Sequence, residues 1–399
     1  MRLAILASHP IQYQAPLFRA LAEVLDLQVF FAHRQSAKEQ GKAGFGVSFD
    51  WDVDLLSGYG HTFLSNVARV PGVNRFGGCD TPEIREVIRV GKFDAFIVSG
   101  WHLKSYWQAV RACRRYGTPV LVRGDSQLRT PRSPLRRIVK KLTHQVMLRQ
   151  FDGFLVVGRR NREYLRHYNV PERKMFFAPH FVDNEWFGAK AEVVRNQKAE
   201  IRKGWGADEE TLVALFVGKL KAIKRPQDIL QALALHNTQR STLNIMSIFV
   251  GLGDMETALR ELASSLGVSA RFEGFKNQSE LPRYYIAADV LILPSESETW
   301  GLVVNEAMAC GLPAIVSDAV GCAPDLIDEG RTGFTFPVGD ATALARRLVQ
   351  VAELRRSGRD FTSALETKMR SYSVQAAVKE MARAVRARLE AKSKGSQSA

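Results

Sequence analysis

The 399-residue chain carries 56 Lys and Arg against 41 Asp and Glu, a formal net charge of +15, and 46% of its residues are apolar. Such a chain can bury sizeable cores, exceeds what one core spans and at roughly 150 residues per domain divides into two, while no apolar run approaches the roughly 18 residues of a membrane helix. The positive balance calls for an anionic partner, whether nucleotide phosphates, lipid headgroups or nucleic acid, and the lack of a zinc-finger or aromatic RNP pattern puts nucleic acid last.

In chain order, the apolar run of Arg2-Leu3-Ala4-Ile5-Leu6-Ala7 stops at Ser8-His9-Pro10, without the longer core and cleavage site of a secretory leader, and reads as a first buried strand. Leu27 to Phe31, Ala95 to Val98, Val120 to Val122 and Phe154 to Val157 follow as strand-length runs separated by helical patterns, which predicts a parallel sheet wrapped by helices. From Asp183 to Asp208 the chain turns polar and basic. The rhythm then restarts with Leu212 to Val217, Leu243 to Val250, Val290 to Leu293 and Ala314 to Val316. The expected division is a first α/β domain over 1–185, a linker over 186–208 and a second α/β domain over 209–371, with a last helix over 374–389 and a frayed polar tail over 392–399. Cys79, Cys113, Cys310 and Cys322 show neither close pairing nor metal-ligand spacing, so reduced thiols in a cytoplasmic protein are expected.

Between Arg129 and Arg149 lie seven Lys or Arg and no acid, while Leu135, Ile138, Val139, Leu142 and Val146 keep helical spacing. This basic amphipathic helix has two readings. It either covers the sheet with its charges outward, or docks peripherally on an anionic membrane that presents a lipid-linked acceptor.

The chemistry concentrates after the run Asp289-Val290-Leu291-Ile292-Leu293-Pro294, where Glu298 and Glu306 stand eight positions apart. A strand ending near Pro294 and a helix beginning near Gly301 put Glu298 in the intervening loop and Glu306 inside the helix, whose first N–H groups are free to hold a phosphate. Pro294-Ser295-x-x-Glu298-x-x-Gly301-Leu302-x-x-x-Glu306-Ala307-Met308-Ala309 resembles the Glu-x7-Glu signature of family 4 retaining glycosyltransferases. Three further segments resemble that family in the same order. Gly218-Lys219-Leu220-x-x-x-Lys224 is similar to its Gly-Arg-Leu-x-x-x-Lys-Gly, with Lys219 for the usual Arg; Val250-Gly251-Leu252-Gly253 matches its second glycine loop; Gly274-Phe275 lies in the loop that meets the nucleotide base.

The resemblance covers about 212–375 and implies GT-B architecture: two Rossmann-like domains facing across a cleft, the nucleotide-sugar donor held by the second, the acceptor largely by the first, and the 372–391 segment crossing back to the first. It assigns Glu298 to the transferred sugar, Glu306 to the ribose hydroxyls, Gly301, Leu302 and Val303 to the distal phosphate, and Gly218, Gly251, Gly274 and Phe275 to the donor's surroundings. Lys219 and Lys224 would take the charge of the leaving diphosphate, with no metal or other cofactor.

The acceptor half is less legible. His9, Gln12, Tyr13 and Gln14 form an unusual polar group for a strand-to-helix turn, and His102, in the aromatic stretch after the Ala95 strand, lies where the family places a histidine at the catalytic cleft. Asp125, in Arg123-Gly124-Asp125-Ser126 after the next strand, offers a carboxylate for an acceptor hydroxyl. The expected activity is retaining transfer of a sugar from a nucleotide-diphosphate donor to a glycan or lipid-linked acceptor in bacterial surface polysaccharide or glycolipid synthesis. A nucleotide-sugar epimerase, which needs no acceptor, and a non-catalytic nucleotide-sugar-binding scaffold are the alternatives.

Overall fold

The computed structural model describes residues 1–41, 46–128, 141, 143–238 and 243–397. Contacts divide it into two units, the first made of Met1–Ser36, Asp54–His180 and Ser373–Ala399, the second of Ala37–Val53 and Phe181–Tyr372.

In the first unit seven strands form one all-parallel sheet: β1 (Arg2–Ala7), β2 (Asp26–Phe31), β3 (Gly60–Phe63), β4 (Ala95–Val98), β5 (Val120–Gly124), β6 (Gly153–Val156) and β7 (Met175–Phe177), in the order β3-β2-β1-β4-β5-β6-β7. The second holds a six-stranded parallel sheet of β8 (Leu212–Val217), β9 (Ile245–Val250), β10 (Ala270–Gly274), β11 (Val290–Leu293), β12 (Ala314–Ser317) and β13 (Gly333–Phe336), in the order β10-β9-β8-β11-β12-β13. These are the two parallel-sheet α/β domains that the alternating pattern predicts. In each sheet the strand order reverses once, between β1 and β4 and between β8 and β11. Because all strands run the same way, every loop leaving a strand end emerges at one edge, and the reversal opens a crevice there.

Interior strands are buried on both faces, and so they read as continuous apolar runs: β4, β6, β11 and β12 are buried at every residue. Helices cover those faces, with Phe96, Phe151 and Phe154 central to the first core and Phe216, Phe249 and Phe336 to the second. Asp side chains start two of the helices: Asp183 accepts the Trp186 N–H at 3.0 Å ahead of Asn184–Val194, and Asp340 the Ala343 N–H at 2.8 Å ahead of Ala341–Arg356.

At the edge opposite the loops, Asp289 precedes β11 and gathers buried charge. Its carboxylate pairs with Arg202 at 2.9 Å and Arg355 at 3.5 Å and accepts the Val213 N–H at 2.8 Å. Arg202 further donates to the carbonyls of Ala287 and Asp208.

Several features depart from the sequence reading. The last helix runs Val374–Gln397, past the expected stop at 389, because Ala391, Lys392 and Lys394 favour helix and no proline intervenes. Residues 37–53, which no composition shift marks, group with the second unit. There the Asn277 amide donates to the Asp50 carbonyl at 2.8 Å, the Ser279 N–H to the Asp52 carboxylate at 3.1 Å, and Phe49 packs on Phe275 with ring centroids 4.6 Å apart. Of the basic 129–149 stretch, 129–140 and 142 lie outside the described residues; 143–148 are helical.

Candidate functional site

In the second unit the loops that leave β8, β9, β10 and β11 bring the sequence-derived donor residues to one edge. After β8, Gly218 donates its N–H to the Val250 carbonyl at 2.9 Å, and Gly251 donates to the Gly274 carbonyl at 2.8 Å, so the three glycine turns lie side by side. Gly251 is obligatory: a Cβ there would sit 2.0 Å from the Gly218 carbonyl oxygen. The close backbone approach leaves a floor of peptide groups beside the crevice between β8 and β11.

Lys224, at the end of the short 3-10 turn Ala222–Lys224, forms an ion pair and hydrogen bond with Glu298 in the loop after β11. The two side chains are 23% and 19% exposed, so the pair is partly shielded yet open to a ligand. The backbone fixes Glu298 from behind, since its carbonyl accepts the Gly321 N–H at 2.9 Å and the residue bridges to Val320. Lys219 joins the cluster. Burial, and then the neighbouring Lys221 and Lys224 charges, lower its ammonium pKa, against an opposing pull from Glu298. Two cations held this close, one bridged by a carboxylate, suit a polyanion: an ammonium has three donors, so Lys224 can keep Glu298 and still reach a phosphate oxygen.

Gly301, in the left-handed region at φ 102°, turns the chain into the helix Leu302–Ala309, whose first N–H groups at Leu302 and Val303 lack intrahelical acceptors. Trp300 is locked just before it, its indole N–H donating to the Asn305 side chain at 2.8 Å and its ring 6.0 Å from Tyr372. Tyr372 in turn donates to Asp325 at 2.9 Å, which gives Asp325 a structural task. One turn into the helix, Glu306 accepts a 2.6 Å hydrogen bond from Tyr285. Burial pushes the Glu306 carboxyl up to about 7, and the Tyr285 bond opposes that rise. Sequence reasoning missed Tyr285, because it sits in the apolar string Tyr284-Tyr285-Ile286-Ala287 and reads as core. Phe275 is engaged by Phe49, a neighbour from the unmarked 37–53 excursion.

In the first unit a cavity of about 280 Å³ opens at the reversal between β1 and β4. Tyr13, His102 and Asp125 line it together with Ser8, Gln14, Trp101, Tyr106, Arg123 and His180; the lining excludes His9 and Gln12. His9 instead meets the Ser8 hydroxyl through Nδ1 at 2.9 Å. Burial lowers the His102 pKa against the Asp125 charge, and burial with the Arg123 charge lowers that of His180, so both rings are neutral near pH 7. Burial also raises the Tyr13 phenol and pushes Arg123 down to about 10. The Arg123 guanidinium donates to the Pro179 carbonyl at 2.8 Å, and Tyr13 lies edge-on to His180 with centroids 6.1 Å apart. Neutral imidazoles, a carboxylate, a guanidinium and aromatic walls in one cavity can donate to and accept from hydroxyl groups. Arg123 was visible in the sequence only as a neighbour of Asp125, with nothing to show that strand order would bring it together with His180.

Two all-parallel sheets, each with polar residues gathered at its reversal point, define the GT-B class of fold. Family models agree with the geometry: one described as glycosyl transferases group 1 matches residues 197–368, and one described as glycosyltransferase family 4 matches 17–186. Together they indicate a GT-B glycosyltransferase of the group 1/family 4 type. N-acetyl-alpha-D-glucosaminyl L-malate synthase of Bacillus anthracis is 30% identical over 157 residues, 39% of this chain and 40% of that protein. The match thus spans about two-fifths of that relative's length. A glycosyltransferase from Rickettsia africae superposes with a TM-score of 0.73 at 14% identity, covering 97% of this chain and 98% of the other. Anabaena HepE in complex with UDP and glucose does so with a TM-score of 0.67 at 16% identity, covering 96% and 98%. At such identities these two structures establish the fold. Among the described residues no helix is long and apolar enough to cross a membrane.

Proposed function

We propose that the chain is a retaining glycosyltransferase that moves a sugar from a nucleotide-diphosphate donor to an acceptor hydroxyl in bacterial polysaccharide or glycolipid assembly. The observation that carries this reading is the Lys224–Glu298 pair, with Lys219 beside it, at the β8/β11 reversal next to the Leu302–Ala309 helix. A cation-rich edge with free helical N–H groups suits a diphosphate, and the solved Anabaena relative bound to UDP supports that choice of ligand.

In this reading Glu298 holds a hydroxyl of the transferred sugar, and Glu306, steadied by Tyr285, takes the ribose diol. The bond from the anomeric carbon to the diphosphate oxygen breaks while a bond to the acceptor oxygen forms on the same face. The acceptor proton passes to the departing phosphate oxygen. Lys219, Lys224 and the helix N-terminus stabilise the charge that develops on the diphosphate, work a divalent cation would otherwise do. Tyr13, His102 and Asp125, with Arg123, hold and orient the acceptor in the first unit's cavity. A 1–185 acceptor domain and a 209–371 donor domain joined by 186–208 remain the functional division we propose.

Glu298→Gln keeps the shape and loses the charge. Transfer is expected to fall at least a hundredfold, the scale of removing one preorganised electrostatic partner, with thermal stability and nucleotide binding retained. Near-normal turnover would remove Glu298 from the mechanism.

A further inference from the structure

Residues 66–80, which the site does not use, form a closed loop that is built rather than slack. Asn66 locks its neck: the amide donates to the Gly78 carbonyl at 2.9 Å, and its oxygen accepts the N–H groups of Ala68 at 3.1 Å and Asp80 at 2.9 Å. Val67 N–H meets the Asp80 carbonyl and Gly72 N–H the Gly78 carbonyl, each at 2.9 Å. A Cβ on Gly78 would sit 2.1 Å from the Gly72 carbonyl oxygen, so the two limbs touch.

The inner side of this loop is satisfied, because Cys79 belongs to the core and Val73 packs against it. The outer side is not. Val67, Val70 and Phe76 are 59%, 50% and 57% exposed, and the hydrogen-bonded frame keeps them from folding inward. Arg69 and Arg75 stand between them, both exposed and without an ion-pair partner among the described residues, and no Asp or Glu occurs from 66 to 79. Scattered exposed valines need no explanation; three large apolar side chains interleaved with two bare guanidiniums on one rigid ten-residue tip do. A protein partner of ordinary surface would meet the apolar groups but leave the cations unmatched. An anionic bilayer matches both, with apolar side chains at the acyl boundary and guanidiniums among the headgroup phosphates.

Position adds a reason. The loop follows β3, so it leaves the same sheet edge as the cavity holding Tyr13, His102 and Asp125. Its neck is fastened to the start of the helix Lys104–Tyr116, directly after His102: Lys104 pairs with Asp80 at 2.5 Å, and the Ser105 N–H donates to the Cys79 carbonyl at 3.1 Å.

We infer that the 66–80 loop docks the protein on an anionic lipid bilayer through Val67, Val70 and Phe76 with Arg69 and Arg75, and so sets the orientation of the first unit's cavity at that surface. The inference stands whether or not the cavity binds a glycosyl acceptor. The full chain is to be co-sedimented with phosphatidylglycerol-rich vesicles and with pure phosphatidylcholine vesicles, as wild type, V70S/F76S and R69Q/R75Q, with melting temperature as the control for folding. Expected are binding to the anionic vesicles only, a loss of roughly tenfold or more in V70S/F76S, and a loss of roughly thirtyfold in R69Q/R75Q. Absence of wild-type binding overturns the inference. So does unchanged binding in both variants, which would move the contact to another basic segment such as 129–149, or a concentration-dependent self-association that V70S/F76S abolishes in the absence of lipid.

Discussion

Asp289 and Glu298 flank the same strand, β11, one at each end, and each carboxylate meets lysine or arginine, yet the two clusters do opposite work. Around Asp289 the side chains of Arg202 and Asp289 are each 5% exposed, and backbone carbonyls and an N–H complete their hydrogen bonds. Around Glu298 the pair with Lys224 is about a fifth exposed, and a second cation, Lys219, is held close enough to repel. Both ends hold more cations than carboxylates, but the buried cluster at the strand's start has its hydrogen bonds completed by the backbone and ties the domain together, whereas the partly exposed pair at its end leaves room for an anion. Under the proposed function, one strand divides stability from ligand binding along its length.

Breaking the first cluster should have the largest effect on folding. Asp289→Ala strands Arg202 in the interior, and loss of one member of a buried pair costs about 3–5 kcal/mol, a fall of roughly 10 °C in melting temperature for a domain of this size. Molecules that remain folded should still bind a nucleotide-diphosphate sugar. A melting temperature within about 2 °C of wild type would mean that the Asp289 cluster does not hold the fold.

Glu306 sharpens the contrast, because its buried carboxyl titrates near pH 7. Its folded pKa lies above the ordinary glutamate value of about 4.3, so its contribution to stability is full below that value and lost as pH rises through about 7. Ligand binding should run the other way, since only the carboxylate accepts from both hydroxyls of a diol. The ionised fraction rises from roughly a tenth at pH 6 to nine-tenths at pH 8, so donor affinity by calorimetry should increase about tenfold over that range. Glu306→Gln should flatten the profile. An unchanged slope in that variant would exclude Glu306 as its source.

The smallest expected effect belongs to Tyr285→Phe. Removing its 2.6 Å hydrogen bond takes away the interaction that opposes the rise of the Glu306 pKa, so the break in donor affinity should move to higher pH by less than about one unit. A weaker affinity with the break unmoved would reduce Tyr285 to a packing residue.

What the sequence disclosed follows the same physics. Strands buried on both faces announce themselves as apolar runs, and every interior strand of both sheets was read that way; the strands that escaped, β3, β7, β10 and β13, are the four sheet edges. Edges are partly solvated, and Gly60-His61-Thr62-Phe63, with no fully buried residue, carries no more apolar signal than a loop. Glu298, Lys219 and Lys224 were legible because they stand in short contiguous segments that resemble the family 4 pattern. Tyr285 was not, since its partner lies 21 residues away on another helix. The pairing of Phe49 with Phe275 spans over two hundred residues, and the grouping of Arg123 and His180 with His102 depends on strand order, which spacing along a chain does not encode.

We propose that the β8/β11 edge holds a diphosphate on its two lysines. The most direct measurement is thermal unfolding with a panel of nucleotide-diphosphate sugars, comparing wild type with K219A/K224A. A cognate donor at a hundred times its Kd should stabilise the wild type by about 2.7 kcal/mol and leave the double variant, folded to the same melting temperature without ligand, almost unmoved. Equal stabilisation of both proteins, or none of either by any donor in the panel, would contradict it.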